Sequence, residues 1–219
     1  VGGGASGVEL VMSVQYRIQQ EFERHGKTNK HMQFVLISAA STLLPTHNQS
    51  VQKRIKKIFA RRGIQVELNS FIKQISLEDT SNARNILCSN GKLIQADAVF
   101  WCTNASPAQW PKKAGLEVDS KGFIKVNDYL QSVSHESIFA AGDIATMVNY
   151  SRPKSGVFAV RQGKPLFNNI RRMIRGQPLR AYRPQKFFLS LLNCADKTAV
   201  ASRGFLAFQG KWVWSYKDW

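Results

Sequence analysis

The residues best suited to bind a ligand are glycines at the start of the chain. Gly2, Gly4 and Gly7 follow the spacing G-x-G-x-x-G directly after Val1. In a turn of this kind the first glycine allows a tight bend and the second lets a pyrophosphate approach the backbone. The third lets a helix pack closely on a strand. The spacing therefore predicts a phosphate-binding turn, although a flexible glycine linker has the same letters.

An amphipathic stretch and an apolar run follow this turn. Apolar residues recur at helical spacing after Gly7, and Gly26 is the kind of residue that stops a helix. The run Met32–Ser38 is almost continuously apolar, which is typical of a parallel strand buried on both faces. Turn, helix and strand together predict a Rossmann-like NAD(P)-binding domain. Its first strand is mostly missing, since Val1 alone precedes the turn, and the chain is therefore expected to be N-terminally truncated.

The end of the second strand bears on the choice of dinucleotide. An acidic residue usually stands there and binds the hydroxyls of the adenosine ribose. In this sequence the position is Ser38, and no arginine adjoins it. The missing carboxylate removes repulsion against a 2′-phosphate, but nothing beside it attracts one. The sequence leaves NAD and NADP open.

A second helix, a β-meander and a further strand complete a predicted domain over residues 1–106. Asn48 can cap a helix that ends before Gly63 and carries a row of basic residues on one face. That row indicates a solvated surface or a contact with nucleic acid or lipid. Asn90-Gly91 predicts a tight hairpin turn. Ala96–Cys102 predicts a second buried strand. The meander is expected from the segments Ile64–Leu68, Phe71–Leu77, Asn85–Cys88 and Lys92–Ile94.

Composition narrows the class of protein. The 219 residues are 43% hydrophobic and carry a net charge of +17, so the chain can bury a core and favours an anionic partner. Thirteen basic and seven acidic residues leave +6 in residues 1–106, against +11 in residues 107–219. The three cysteines form no CxxC pair, which is typical of a reducing cytoplasm, and the four histidines lack metal-ligand spacing.

Two further motifs identify a resemblance. The stretch 137–145 (SIFAAGDIA) places Gly142 and Asp143 after an apolar run, and the stretch 152–163 (RPKSGVFAVRQG) opens a predicted helix near Gly156. With the glycine turn and the stretch ADAVFWCTNASP, they resemble the FAD-dependent pyridine nucleotide-disulfide oxidoreductases. Within that family the sequence is most similar to the type II NADH dehydrogenase-like branch, including flavoproteins sometimes fused to selenide, water dikinase.

The resemblance implies cofactors, FAD and NAD(P)H, and residues that bind them. Asp143 is expected to accept hydrogen bonds from the flavin ribityl chain, with Gly142 allowing a close approach. Glu9 matches a glutamate near the nicotinamide, or it is an ordinary acid in the first turn of a helix. Thr103 ends the strand where family members usually continue with glycine, and Asn104 replaces that glycine with a side chain that would intrude on a cofactor. The positions expected around the flavin also include Lys154, Ala159, Gln162 and Gly163.

The resemblance also implies a domain order. Residues 107–176 are expected to be the C-terminal segment of an FAD-binding domain, and residues 177–219 a β-rich interface region. In the tail, strands are predicted over Phe187–Leu192, Thr198–Ser202, Phe205–Phe208 and Lys211–Tyr216, which makes a small antiparallel sheet. The predicted fold class is therefore α/β: the Rossmann-like domain with its β-meander, part of a flavin domain and this β tail.

The function predicted from the sequence is hydride transfer from NAD(P)H to FAD and on to an unidentified, quinone-like acceptor. The expected partner is the missing N-terminal FAD-binding half, without which the fragment should be inactive. A homo-oligomer, a peripheral membrane contact and an associated selenide, water dikinase stay open, in a cytoplasmic protein. The alternative is a basic binding module for RNA or an anionic membrane on a degenerate flavoprotein scaffold; no recognised nucleic-acid motif supports RNA.

Overall fold

A computed structural model describes residues 1–27, 32–78, 81–103, 105–186 and 188–218. The chain forms two compact units: residues 1–103 with 189–219, and residues 104–188. This division differs from the three predicted ranges, because the tail from residue 189 onward packs into the first unit. Within the described residues, no helix is both long enough and apolar enough to cross a membrane.

The first unit is built around a parallel strand pair and two helices. Strands β1 (Phe34–Ile37) and β2 (Ile64–Glu67) pair in parallel, which confirms the buried strand predicted near Met32–Ser38. Helices α1 (Ala5–Arg24) and α2 (Gln49–Arg61) pack on the pair. Asn48 caps α2, because its side-chain oxygen accepts a hydrogen bond from the Val51 N–H at 3.0 Å. The apolar residues of both helices and both strands form one core.

A β-meander and the tail complete the first unit. The meander is antiparallel and consists of β3 (Ile72–Glu78), β4 (Ser81–Cys88) and β5 (Leu93–Ala96). The predicted turn at Asn90-Gly91 joins the last two strands, and Gly91 has a φ of +83°. In the tail, an antiparallel sheet runs in the order β10-β9-β8. Its strands are β8 (Ser190–Asn193), β9 (Ala199–Arg203) and β10 (Leu206–Gly210).

The second unit carries the Gly-Asp turn and a long helix. Its elements are α3 (Trp110–Lys113), β6 (Ile124–Val126), a 3-10 turn (Gly142–Ile144), β7 (Ala145–Met147) and α4 (Gly156–Ile174). Strands β6 and β7 pair in parallel. The helix expected near Gly156 begins there. Both units mix helices and strands, which confirms the predicted α/β class.

Two predicted strands are wrong. Residues 97–102 are not a strand, and Phe100 and Trp101 are 51% and 57% exposed. Val1 bonds to this segment at two points: its backbone nitrogen donates to the Phe100 carbonyl at 2.6 Å, and its carbonyl accepts from the Cys102 N–H at 2.8 Å. Residues 97–102 form no ladder with any strand of the described residues, and both aromatic side chains are exposed.

The other wrong strand is Lys211–Tyr216. These residues lie in a helix, α5 (Lys211–Asp218), which follows β10 directly. The helix buries Val213 against Ala199 and Ala201 of β9. In the helix, Val213 and the partly buried Trp214 both pack against this cluster, whereas in the predicted strand these neighbouring residues would have pointed to opposite faces. The predicted tail strand Phe187–Leu192 is shorter than expected, and Phe187 is outside the described residues.

Candidate functional site: two glycine turns

The glycine turn of the first unit is packed so tightly that two of its glycines have no space for a side chain. A Cβ added to Gly7 would lie 1.9 Å from the Gly2 carbonyl oxygen, and one added to Gly2 would lie 2.2 Å from the Cys102 oxygen. Gly2 has a φ of +115°, and its N–H donates to the Ile37 carbonyl at 2.8 Å. These contacts hold the turn against β1 and the segment before Thr103. Only glycine fits at Gly2 and Gly7.

The second glycine of the fingerprint is different. Gly4 is the N-cap residue of α1, no side chain caps the helix there, and a Cβ at Gly4 would meet no atom within 4 Å. The first N–H groups of a helix that lacks a side-chain cap are free to bind a negatively charged group. The open space lies where a dinucleotide pyrophosphate would approach. The geometry of the turn therefore fits that ligand.

Sequence reasoning missed a fourth glycine. A Cβ on Gly3 would lie 2.4 Å from the Ser38 hydroxyl oxygen, so Gly3 is needed for Ser38 to lie against the turn. Ser38 is buried, and its hydroxyl oxygen accepts a hydrogen bond from the Ala40 N–H at 3.2 Å. The run of three glycines was the available signal, but the spacing rule uses only two of them.

Three more residues were predicted to lie near the dinucleotide: Glu9, Thr103 and Asn104. The Glu9 carboxylate has a hydrogen-bond partner: its Oε1 accepts from the Asn193 N–H of β8 at 2.6 Å. The carboxylate thus joins α1 to the tail sheet. Thr103 is exposed at the end of the segment. Asn104 is outside the described residues, so the structure does not bear on its predicted intrusion.

The Gly-Asp turn of the second unit is open on its outer side. Gly142 has a φ of +71°, and its N–H donates to the buried Gln162 Oε1 at 2.6 Å. A Cβ at Gly142 would lie 3.4 Å from the Ala159 Cβ, an ordinary contact distance. Asp143 is exposed beside it. The structure therefore brings together four predicted residues: Gly142, Asp143, Ala159 and Gln162.

The start of α4 offers a second sign of a ligand. Ser155 is the N-cap residue but makes no capping hydrogen bond, and its buried hydroxyl has no partner among the described residues. A buried hydroxyl without a partner is costly unless a ligand satisfies it. Gly163 lies about two turns further along the helix, is exposed, and has open space where a Cβ would stand. The features at this helix end fit a polar cofactor such as FAD.

The ammonium group of Lys154 contacts residues of the second unit. Its Nζ donates to the Ala145 carbonyl and to the Thr146 hydroxyl, the latter at 3.0 Å, and lies 4.2 Å from the centre of the Phe123 ring. Burial lowers the pKa of Lys154, and the carboxylates of Asp119 and Asp143 partly oppose that shift. Lys154 therefore acts as a half-buried cation held near the Gly-Asp turn.

Asp119 anchors the same network from the other side. Its Oδ2 accepts a hydrogen bond from the Thr146 hydroxyl at 2.9 Å, and its Oδ1 accepts from the N–H groups of Lys121 and Phe123. Desolvation would raise the pKa of Asp119, but these hydrogen bonds outweigh it and the pKa is lowered. Sequence reasoning missed Asp119, because nothing in its local sequence links it to Lys154.

The fold and the two turns define an α/β dinucleotide-binding protein. The same fold occurs in the Escherichia coli flavoprotein disulfide reductase RclA, with a TM-score of 0.66 and 19% identity over 93% of this chain and 40% of that one. It occurs also in putidaredoxin reductase bound to putidaredoxin, with a TM-score of 0.65 and 19% identity over 93% of this chain and 45% of that one. At this identity the likeness concerns the fold alone.

The sequence places the chain within a family. The model of the pyridine nucleotide-disulphide oxidoreductases matches residues 1–163, and the chain belongs to that family. This range includes both turns, so the predicted resemblance is confirmed.

Two curated relatives are similar over most of the chain. Human ferroptosis suppressor protein 1 is 28% identical over 189 residues, which are 84% of this chain and 47% of that protein. The type II NADH:quinone oxidoreductase of Haemophilus influenzae is 25% identical over 226 residues, which are 97% of this chain and 49% of that protein. The chain spans about half the length of these relatives.

Proposed function

We propose that the chain provides the nicotinamide-binding part, and a portion of the flavin-binding part, of an FAD-dependent NAD(P)H oxidoreductase. The observation that carries the proposal is the glycine turn, closed at Gly2 and Gly7 and open at Gly4 over the start of α1. Membership of the family supports the pairing of the two cofactors. The name of the Haemophilus influenzae relative supports a quinone-like electron acceptor. A cytoplasmic location remains a hypothesis from the sequence.

The first unit would hold the dinucleotide. The N–H groups at the start of α1 would bind its pyrophosphate, with the macrodipole of the 20-residue helix favouring the negative charge. No carboxylate ends β1, so nothing there repels the 2′-phosphate of NADPH. The inward position of Ser38 leaves both dinucleotides as candidates.

The second unit would hold part of the flavin. When bound, FAD accepts the hydride that NAD(P)H supplies, so the redox chemistry belongs to the cofactors. Asp143 would accept hydrogen bonds from a polyol chain, and the Ser155 hydroxyl would gain the partner it lacks within the described residues. The N-terminus of α4 and the Lys154 ammonium would favour a negatively charged ring system.

A further polypeptide half would complete the flavin site. Helix α4 exposes apolar side chains at intervals of seven residues, Val160, Phe167 and Ile174, along one side. Asp143 is exposed as well. A half equivalent to the part of the relatives that this chain does not span would cover such a stripe. Self-association and a partner enzyme of selenium metabolism remain hypotheses from the sequence.

The proposal is tested by joining the chain to such an upstream half from a relative and following NADH and NADPH oxidation with quinone and dye acceptors. We expect little FAD on the chain alone and bound FAD with turnover in the joined protein. Stoichiometric FAD on the chain alone would contradict the shared flavin site. A joined, folded protein without flavin or turnover would contradict the oxidoreductase function itself.

A matched pair of variants sharpens this experiment. Asp143→Asn in the joined protein should weaken FAD binding on the order of tenfold or more, because a charged hydrogen-bond acceptor is lost. Glu136→Gln removes an exposed acid from the same unit and should leave FAD binding unchanged. Equal FAD binding by both variants would remove Asp143 from the site.

A further inference from the structure

Two buried polar atoms after helix α4 lack a hydrogen-bond partner among the described residues. They are the Tyr182 Oη and the Gln185 Nε2, which belong to side chains three residues apart in the second unit. Neither residue takes part in the proposed binding of FAD or NAD(P)H. A buried donor that is left unpaired costs free energy in the folded state, so each of these atoms calls for a partner.

The guanidinium of Arg152 joins this segment to the residues before α4. Its Nε donates to the Gln185 carbonyl at 3.1 Å, its Nη2 to the Pro184 carbonyl at 3.3 Å, and its Nη1 to the Ser151 carbonyl at 2.7 Å. A guanidinium carries five N–H groups, so two of them remain after these three hydrogen bonds. No acid forms an ion pair with Arg152 within the described residues. The half-buried positive charge therefore has no counter-charge in this part of the chain.

The Tyr182 hydroxyl lies near the same positive charge. Burial raises the pKa of Tyr182, and the charges of Arg161 and Arg152 oppose that shift in part. The phenol therefore keeps its proton at neutral pH and can donate it to a ligand. Between Asp143 and Asp196 the sequence contains no acidic residue. This stretch of the chain thus offers hydrogen-bond donors and positive charge without a carboxylate of its own.

Backbone contacts hold the donors in place. The buried side chain of Asn169 in α4 donates to the Arg180 carbonyl and accepts from the Arg180 N–H, both at 2.9 Å. The Tyr182 N–H donates to the Asp128 carbonyl at 2.8 Å, and the Asp128 carboxylate accepts from the Asn149 side chain. A segment fixed by such contacts presents its donors in one geometry, which lowers the entropic cost of binding a ligand.

We propose that Arg152, Tyr182 and Gln185 bind a phosphate group, either free phosphate or the phosphate of a small ester. Two hydrogens of the guanidinium, one of the hydroxyl and two of the amide have no acceptor among the described residues. A carboxylate offers about four lone-pair sites on two oxygens, which is too few for these donors. The terminal oxygens of a phosphate group accept more hydrogen bonds and match the fork of an arginine. The proposal is independent of the redox function, because binding is measured without turnover.

The first test is isothermal titration calorimetry of the full chain with inorganic phosphate and with glycerol 3-phosphate, at constant ionic strength. We expect saturable binding, and the tighter of the two ligands distinguishes free phosphate from an ester. Acetate should bind about tenfold more weakly than the better phosphate, because its two oxygens leave donors unpaired. Acetate binding as tight as phosphate binding would overturn the proposal. So would the absence of binding by both phosphates up to about 10 mM.

The second test uses Tyr182→Phe, which should change stability and binding in different ways. Without phosphate the urea midpoint should stay the same or rise, because the variant removes a buried hydroxyl that no described group pairs. The affinity for phosphate should fall on the order of tenfold, because a hydrogen bond to a charged ligand is lost. Tyr129→Phe, at an exposed tyrosine of the same unit, is the control and should change neither quantity.

Gln185→Met provides a second variant of the same kind. It keeps a side chain of similar length, removes the unpaired amide and should also weaken phosphate binding on the order of tenfold, whereas Gln177→Met at an exposed position should not. None of these substitutions changes the net charge, so weaker binding cannot come from the general positive charge of the chain. Two results would overturn the proposed site: wild-type affinity for phosphate in Tyr182→Phe and Gln185→Met, or a lower urea midpoint of Tyr182→Phe without phosphate, since the hydroxyl would then have a partner in the protein.

Discussion

The two glycine turns differ in what requires their glycines. In the first unit, the neighbouring backbone leaves no space for a Cβ at Gly7 or Gly2, and a side chain leaves none at Gly3. In the second unit, Gly142 has ordinary space around it and is glycine because of its positive φ. The first turn is thus fixed by its own packing. The second keeps an outer surface open, with Asp143 exposed.

This difference separates two meanings of a glycine motif. The close packing at Gly2 and Gly7 would be needed for folding even without a ligand, whereas the space at Gly4 is open to a ligand. A match to the spacing pattern therefore reports on the stability of the turn as well as on binding. Substitutions at individual glycines can distinguish the two.

The largest expected effect is at Gly7. Gly7→Ala places a Cβ against the Gly2 carbonyl and should lower the free energy of unfolding by about 3 kcal/mol or more, because backbone on both sides must move. Urea denaturation followed by circular dichroism measures the change. Gly163→Ala is the matched control: it enters open space on a helix and should raise stability by up to about 1 kcal/mol.

Equally small changes in the free energy of unfolding for Gly7→Ala and Gly163→Ala would contradict the difference between the two turns.

A third variant, Gly4→Ala, separates ligand binding from folding. It should leave the free energy of unfolding within about 1 kcal/mol of the wild type, as its Cβ meets no atom, yet reduce binding of NADH.

A smaller loss of stability is expected from substitutions of Gln162. Gln162→Leu removes the oxygen that accepts the Gly142 N–H and leaves that N–H without its partner, which should cost about 1–3 kcal/mol of stability. Gln162→Glu keeps an acceptor oxygen at the same position and should cost less. Urea denaturation of the two variants provides the comparison. An equal loss in both would show that the hydrogen bond to Gly142 does not hold the turn.

The smallest expected effect is on the way the free energy of unfolding depends on pH, through His47 beside the tail of the first unit. Burial lowers the pKa of His47, whose ring Nε2 lies 3.0 Å from the Ser190 hydroxyl, while the Glu9 carboxylate opposes the shift in part. Because the folded-state pKa is lowered, protonation favours the unfolded chain. The contribution of His47 to stability is fully present above the ordinary histidine pKa of about 6.5 and is lost as the pH falls toward the lowered folded-state pKa.

His47→Gln should abolish this dependence between pH 7.5 and 5.5, measured as the change in the urea midpoint. His135→Gln, in the exposed part of the second unit, should retain it. The pKa of Asp196 is also lowered, with hydrogen bonds from Thr198 and Arg62 outweighing desolvation. Its contribution is lost only at more acidic pH, near and below about 4, so it does not interfere.

Much of the fold could be predicted because local signals agreed with tertiary packing. The Asn48 cap and the apolar spacing after it predicted α2, and Asn90-Gly91 predicted the hairpin turn. Two strand predictions failed where local signals lacked a partner. The run containing Phe100 and Trp101 has the composition of a buried strand, but it forms no ladder within the described residues and both side chains are exposed. The segment beginning at Lys211 is rich in β-forming residues, yet β10 already ends at Gly210 and a helix can bury Val213.

The site was harder to predict than the fold. The spacing located Gly2, Gly4 and Gly7, but could not reveal that Glu9 hydrogen-bonds to β8, which comes 184 residues later. The contact between Lys154 and the Asp119–Thr146 pair also joins distant segments. Such partners depend on the packing of the whole unit, and a single sequence does not show them.

The discontinuity of the first unit has a consequence for synthesis. Its core includes Leu192, Cys194 and Val200, so α1 and α2 cannot be fully buried until these residues have left the ribosome. Residues 104–188, the second unit, are synthesised before them. During translation the second unit would therefore be available to fold while the core of the first unit still lacks its tail. The first unit, with its apolar helices still uncovered, is the one that a chaperone would need to protect.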